Sequence, residues 1–107
     1  IVNASKLDTR LIMRSLRNTE RVLNNAAVEK VIEIEQTKGD ELGIEDIAQL
    51  VGGVYPKIMR EGDLDAGPWS CGMVAGLIND IPTCKELIDR IMSEARESIQ
   101  GRLAAFA

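Results

Sequence analysis

The clearest periodic pattern lies at the end of the chain. Apolar residues at Cys84, Leu87, Ile88, Ile91, Met92, Ala95, Ile99 and Leu103 recur every three or four positions and line one side of a helix. Thr83 precedes them with Glu86 three residues on, the spacing at which each side chain satisfies a backbone N–H of the other. Lys85 with Asp89, and Glu86 with Arg90, are opposite charges four residues apart on the wet side. The pattern predicts a helix over 83–102. Ala27, Val28, Val31, Ile32 and Ile34 form a second apolar face, predicting a helix from Thr19 or Asn25 to Lys38, with Gly39 suited to the position after its last turn. Ile44, Ile47, Ala48 and Val51 predict a short third helix that stops at Gly52-Gly53. Pro56 opens a fourth piece reaching Glu61, since a first-turn residue has no intrahelical use for its N–H.

Gly62 to Pro68 is a loop by composition. Ser70 is then an N-cap candidate for a helix over 71–79. Met73, Val74, Leu77 and Ile78 fall on one of its faces, and Gly72, Ala75, Gly76 and Asn79 on the other. Two glycines in a helix cost about 1 kcal/mol each relative to alanine, so they ask for a structural reason. The opening stretch admits two readings. Arg10, Arg14, Arg17 and Arg21 share one face if the segment is helical, whereas Leu11-Ile12-Met13 equally suits a buried extended segment. The expected fold is one all-α domain over 1–107, with four to five helices, no secure strand and an undecided start.

Composition narrows the function. No apolar run approaches the roughly 18 residues of a membrane-spanning helix. Ile1-Val2-Asn3-Ala4-Ser5 shows neither an initiator Met nor a basic-then-apolar leader, and reads as a start made inside a longer chain. A net charge of −4 speaks against a nucleic-acid partner. Cys71 and Cys84 make neither a disulfide framework nor a zinc spacing, so a reduced, cytoplasmic setting is the default expectation. Histidine is absent, which removes Ser-His and Cys-His nucleophilic pairs and leaves proton transfer to carboxylates, lysines or Tyr55.

Three features carry candidate chemistry, each with a plainer alternative. The segment Trp69-Ser70-Cys71-Gly72-Met73 could form a backbone wall against a flat ligand, because glycine permits close approach. It could equally pack helices tightly across Gly72 and Gly76 around a Trp69 anchor. The arginine row could grip phosphate or carboxylate, or be a solvated face. Asp63 and Asp65 suit loop capping better than a metal pair, for which two carboxylates are too few. Cys71 is a reactive thiol at a helix start or, more simply, a small packed side chain. Tyr55 has no evident partner.

Two stretches resemble a known family. One runs from Asp8 to Val22 through Leu11-Ile12-Met13-Arg14-Ser15-Leu16-Arg17-Asn18-Thr19, followed by Asn25. The other holds Gly62-Asp63, Gly67, Trp69-Ser70 and Gly72-Met73, and continues through Ile81-Pro82-Thr83 into the last helix. Both are similar to the C-terminal third of bacterial nitronate monooxygenases (2-nitropropane dioxygenases) and of the related NADH:quinone reductases. A flavin-dependent enoyl-acyl-carrier reductase shares the loop but matches the arginine-rich string less well. The resemblance implies a helical C-terminal subdomain of an FMN-binding TIM-type barrel, with the barrel and the family's catalytic His outside these residues. It implies that Trp69, Ser70, Cys71, Gly72 and Met73 line the flavin or substrate cavity, and that the chain alone binds FMN weakly. The parent would oxidise alkyl nitronates with O2, or move hydride from NADH to a quinone. The family often has Ala at the position of Cys71 and Ile or Val at that of Pro68. The expected partners are therefore a small-molecule substrate, with neither nucleic acid nor membrane, and oligomerisation through a barrel-facing surface. A stand-alone helical interaction module is the competing reading from a different class.

Overall fold

The computed structural model describes residues 1–106. A β-hairpin opens the fold, with strand β1 (Thr9–Ile12) antiparallel to β2 (Glu20–Leu23). Thr9 pairs with Leu23, Arg10 with Val22, Leu11 with Arg21 and Ile12 with Glu20. The extended reading of the start is therefore the correct one, and the fold is mostly helical with a small sheet rather than all-α. The four arginines do not share a helical face. Arg10 lies on β1, Arg21 on β2, and Arg14 and Arg17 in the turn between them.

Two residues other than glycine make that turn, Met13 with φ 58° and Arg17 with φ 54°. Left-handed backbone is unfavourable for L-residues and persists where the surroundings fix it. Here Met13 is buried beside Ile12 in the core, and its carbonyl accepts the Asn18 N–H at 3.2 Å. Core packing thus overrides a spacing that local rules read as helix.

Helix α1 (Ala26–Lys38) begins at Asn25, and Gly39 ends it with φ 54°. Helix α2 (Ile44–Val51) follows one 3-10 turn later. Asp46 sits at the third position of α2, where its carboxylate accepts the Gly43 N–H at 2.9 Å and the Lys38 ammonium at 2.5 Å. Ile12, Met13, Val22, Val28, Val31, Leu42 and Ile47 close the core between the hairpin and these two helices. Five of these side chains have no appreciable exposure, each stabilising the fold by roughly 1.5–3 kcal/mol. The piece after Pro56 is a wide π-type turn, Lys57–Glu61, closed by Gly62.

The predicted helix over 71–79 is reduced to a 3-10 turn, Met73–Leu77. Ser70 does not cap it. Residues 69–71 instead run extended beside β2, with Leu23 N–H donating to the Trp69 carbonyl at 3.2 Å and Cys71 N–H to the Arg21 carbonyl at 3.1 Å. The glycine at 76 has its reason in this packing: a Cβ there would stand 2.8 Å from the Lys6 backbone nitrogen.

Helix α3 (Cys84–Ala104) keeps the reciprocal Thr83–Glu86 cap. Lys85 pairs with Asp89 as its spacing predicts, whereas Arg90 pairs with Asp80 rather than Glu86. No residue of α3 is buried. The radius of gyration, 18.5 Å, well exceeds the approximately 13 Å of a compact chain of this length, because α3 projects from the body.

Candidate functional site

The loop over 62–71 is fixed to the start of α1 by side chains that sequence spacing alone does not connect. Asn25 Oδ1 accepts the Val28 N–H at 2.9 Å, capping α1. Its Nδ2 donates to the Leu64 carbonyl at 2.8 Å and to the Gly67 carbonyl at 2.9 Å. Asp65 Oδ1 accepts the Ala26 N–H at 2.9 Å, and Asp63 Oδ1 accepts the Asp65 N–H at 3.1 Å. Both aspartates thus do the loop capping expected of them. Gly67 is buried, and a Cβ on it would lie 2.6 Å from the Val54 Cβ, so only glycine fits.

From this anchored loop the chain passes into the five candidate residues, and they do not all face one way. Trp69 is half-buried, and its indole N–H is enclosed without an acceptor among the described residues. Ser70 is exposed and held from two sides. Its N–H donates to the Tyr55 hydroxyl at 3.0 Å, the Tyr55 hydroxyl donates to Ser70 Oγ at 3.0 Å, and Ser70 Oγ donates to Glu20. Sequence reading gave Tyr55 no partner, and the structure supplies one in Ser70. Its partner lies 15 residues away and reaches it only because 69–71 run beside β2. Cys71 is buried and lies before the 3-10 turn, which is the packed reading rather than the reactive one. Gly72 is extended and open, with nothing nearer a would-be Cβ than Val74 at 3.7 Å.

Met73 turns toward a groove of about 660 Å³. Val74, Gly76 and Leu77 line it with Met73 on one side, and Ser5 and Lys6 on the other. The groove is apolar with one ammonium at its edge, in the size range of small-molecule sites. Ser5 is committed to the backbone, since its hydroxyl accepts the Leu7 N–H at 3.1 Å. Asp8 returns the bond to the Ser5 N–H at 2.6 Å, which holds the Asp8 carboxyl below its ordinary value. The site therefore offers an open backbone at Gly72 and an apolar groove beyond Met73, which suit a flat ring. Among the described residues there is no cluster of His, Cys, Asp or Glu able to hold a metal ion.

No family model matches the chain. The carboxyl-CoA dehydrogenase of Rhodococcus jostii (strain RHA1) that acts on a hydroxy-methyl-oxo-octahydroindene is 49% identical over 41 residues, 38% of this chain and 12% of that protein. The enzyme of the same name from Mycobacterium tuberculosis is 42% identical over 40 residues, 37% of this chain and 11% of that protein. Among solved structures, FabK from Thermotoga maritima superposes with a TM-score of 0.78 and 28% identity, over 99% of this chain and 32% of its own. A single-residue variant of that FabK gives 0.71 and 26%, over 99% and 29%. The chain thus spans about a third of FabK and about an eighth of the curated relatives it matches. At 28% and 26% identity over 99% of the chain, the likeness to FabK extends over the whole fold described above. No helix is long and apolar enough to cross a membrane among the described residues.

Proposed function

We propose that this chain is the part of an FMN-dependent oxidoreductase that covers one side of the flavin and substrate cavity. The observation that carries the proposal is the fold likeness to FabK over 99% of the chain, together with the two sequence strings read above. The favoured activity is nitronate oxidation by O2, as a nitronate monooxygenase, with NAD(P)H:quinone reduction as the alternative within the family. A second reading has its own support: FabK and the carboxyl-CoA dehydrogenases make an acyl thioester a substrate class to be tested alongside nitronates.

Bound flavin supplies the electron transfer, and the protein supplies position and exclusion of water. Gly72 leaves its backbone open to a ring face. Trp69, half-buried with its indole N–H enclosed by the protein, would anchor the segment from behind. Met73 and the groove beyond it would take an apolar substrate tail. Tyr55 and Glu20 hold Ser70, and the Asn25–Asp65 anchor holds the loop that presents all of them. Cys71 supports the segment from the core side. The resemblance puts the family's phosphate-binding loops in the barrel, outside these residues, so FMN affinity of the 107-residue chain alone should be poor.

The test is the visible spectrum of the protein as its gene encodes it, followed by anaerobic mixing with an alkyl nitronate, with NADH, and with NADH plus an enoyl thioester. Flavin reduced by the nitronate supports the favoured activity. Reduction by NADH with turnover of quinone, or of the thioester, selects one of the other two. A colourless, folded protein refutes the flavin reading and leaves the helical interaction module in its place.

A further inference from the structure

The arginines of the hairpin take no part in the site described above, and they divide the charge of the chain. Residues 10–21 hold four arginines against one glutamate, net +3, while the remaining residues hold nine basic against sixteen acidic side chains, net −7. A basic turn on an otherwise acidic chain concentrates attraction for an anion at one place. Two of the four arginines are committed within the fold. Arg10 Nη1 donates to the Leu7 carbonyl at 2.9 Å and to the Thr9 carbonyl at 3.2 Å, and Arg21 Nη1 donates to Thr9 Oγ1 at 2.8 Å. Arg14 and Arg17 are exposed, and neither side chain has an ion pair or a hydrogen bond among the described residues. Glu20, the nearest acid along the chain, is already engaged by Ser70.

The turn holds these two arginines together. Arg17 N–H donates to the Arg14 carbonyl at 3.1 Å, which keeps the two Cα atoms within about 7 Å. Asn18 N–H closes the wider loop on the carbonyl of Met13, and the buried Met13 side chain roots that loop in the core. Arg17 has φ 54°, a conformation that glycine adopts freely and arginine does not. Glycine at 17 would serve the fold better. Two like charges one turn apart also repel each other. A solvated face explains neither cost, whereas a bound anion offsets both. Strain of this kind, retained at an exposed charged residue, points to a ligand.

We propose that the Arg14–Arg17 turn binds a phosphoryl group of a soluble ligand. A guanidinium fork matches two oxygens of one anionic group, so a single carboxylate is satisfied by one arginine. Two forks on one turn suit the additional oxygens of a phosphate or diphosphate. The resemblance puts the flavin's own phosphate in the barrel, so the group bound here belongs to another ligand. The net −7 of the other residues opposes a nucleic acid, which carries many phosphates in a row. Ile12 pairs with Glu20 directly beyond the turn, and Glu20 holds Ser70. The ligand therefore stands at the end of the hairpin that steadies the candidate segment. The inference does not depend on the flavin reading.

Calorimetric titration of the protein as its gene encodes it, with inorganic pyrophosphate at low salt, tests it. Binding should appear at submillimolar pyrophosphate and weaken as salt is added. Arg14→Gln and Arg17→Gly should each weaken it roughly tenfold to a hundredfold, the worth of a charge-assisted contact. Arg10→Gln, which removes a committed arginine, should change it by no more than about threefold. Arg17→Gly should melt no lower than the parent, because glycine relieves the left-handed backbone, a result that a purely structural arginine would not give. A colourless protein that binds pyrophosphate in this way supports the inference and refutes the flavin reading alone. Absence of binding, or binding that survives both turn variants, overturns the inference. Tighter binding of polyglutamate than of pyrophosphate overturns it in favour of an acidic protein partner.

Discussion

Replacing Asn25 should show how far the candidate loop depends on one side chain. Its three hydrogen bonds serve two elements, one to Val28 in α1 and two to carbonyls of the loop. Losing an N-cap to alanine costs roughly 0.5–2 kcal/mol. Each loop bond is worth roughly 0.5–1.5 kcal/mol more. Asn25→Ala should therefore cost about 1.5–5 kcal/mol, a large part of the 5–15 kcal/mol typical of a domain. Asn25→Asp separates the two functions. The carboxylate caps α1 as well as the amide does, but it cannot donate, and it faces the Leu64 and Gly67 carbonyls and the nearby Asp65. The Asp variant should keep α1 and release the loop. Urea titration followed by the emission of Trp69, the sole tryptophan, reports the loop directly. Exchange at the Val28 amide reports the cap. If Asn25→Ala costs under about 0.5 kcal/mol, or if Asn25→Asp leaves Trp69 emission and stability unchanged, the double anchor described above does not exist.

Three further outcomes follow from the same geometry. Gly67→Ala should destabilise by about 1–3 kcal/mol through overpacking on Val54, and Val54→Ala should relieve part of that, so a double-mutant cycle that comes out additive would refute the contact. Tyr55→Phe removes the hydroxyl that holds Ser70. In the flavin-bound protein it should alter the rate of flavin reduction with little change in melting temperature, and an unchanged rate would leave Tyr55 as a surface residue only. The Lys38 ammonium, then the Gly43 N–H, holds the Asp46 carboxyl below its ordinary 3.8. A depressed carboxylate stabilises above its unfolded value and loses that contribution as pH falls through the folded one. Asp46→Asn should therefore weaken the fold at neutral pH, and the gap to the parent should close below pH 3.8. A gap that persists in acid would assign the effect to something other than this carboxylate.

The helices were legible because their stripes are set by local periodicity and their ends by caps: Asn25 and Gly39 for α1, Thr83 and Glu86 for α3. The hairpin was not, since its evidence is a pairing between residues 8 to 14 positions apart, across a turn with no Gly or Pro to mark it. The arginine spacing imitates a helix, and the turn that prevents one depends on Met13 being buried in a left-handed conformation. The same non-locality hid the role of Ser70, which matches an N-cap in sequence and is drawn into an extended run by β2. In the loop, the glycines at 67 and 76 were visible as oddities, while their causes, Val54 and the Lys6 backbone, were not. Nor could periodicity tell whether the stripe on α3 is covered, because a stripe records that burial is wanted and not by what.

The isolation of α3 also changes what unfolding means for this chain. A helix with no buried residue melts over a broad range, since mainly its own short-range bonds hold it. The core around Ile12, Val28 and Ile47 melts as a unit. Circular dichroism, dominated in part by 21 residues of α3, and Trp69 emission then follow two separate events. Their midpoints have no reason to coincide, so no single free energy describes the denaturation of these 107 residues.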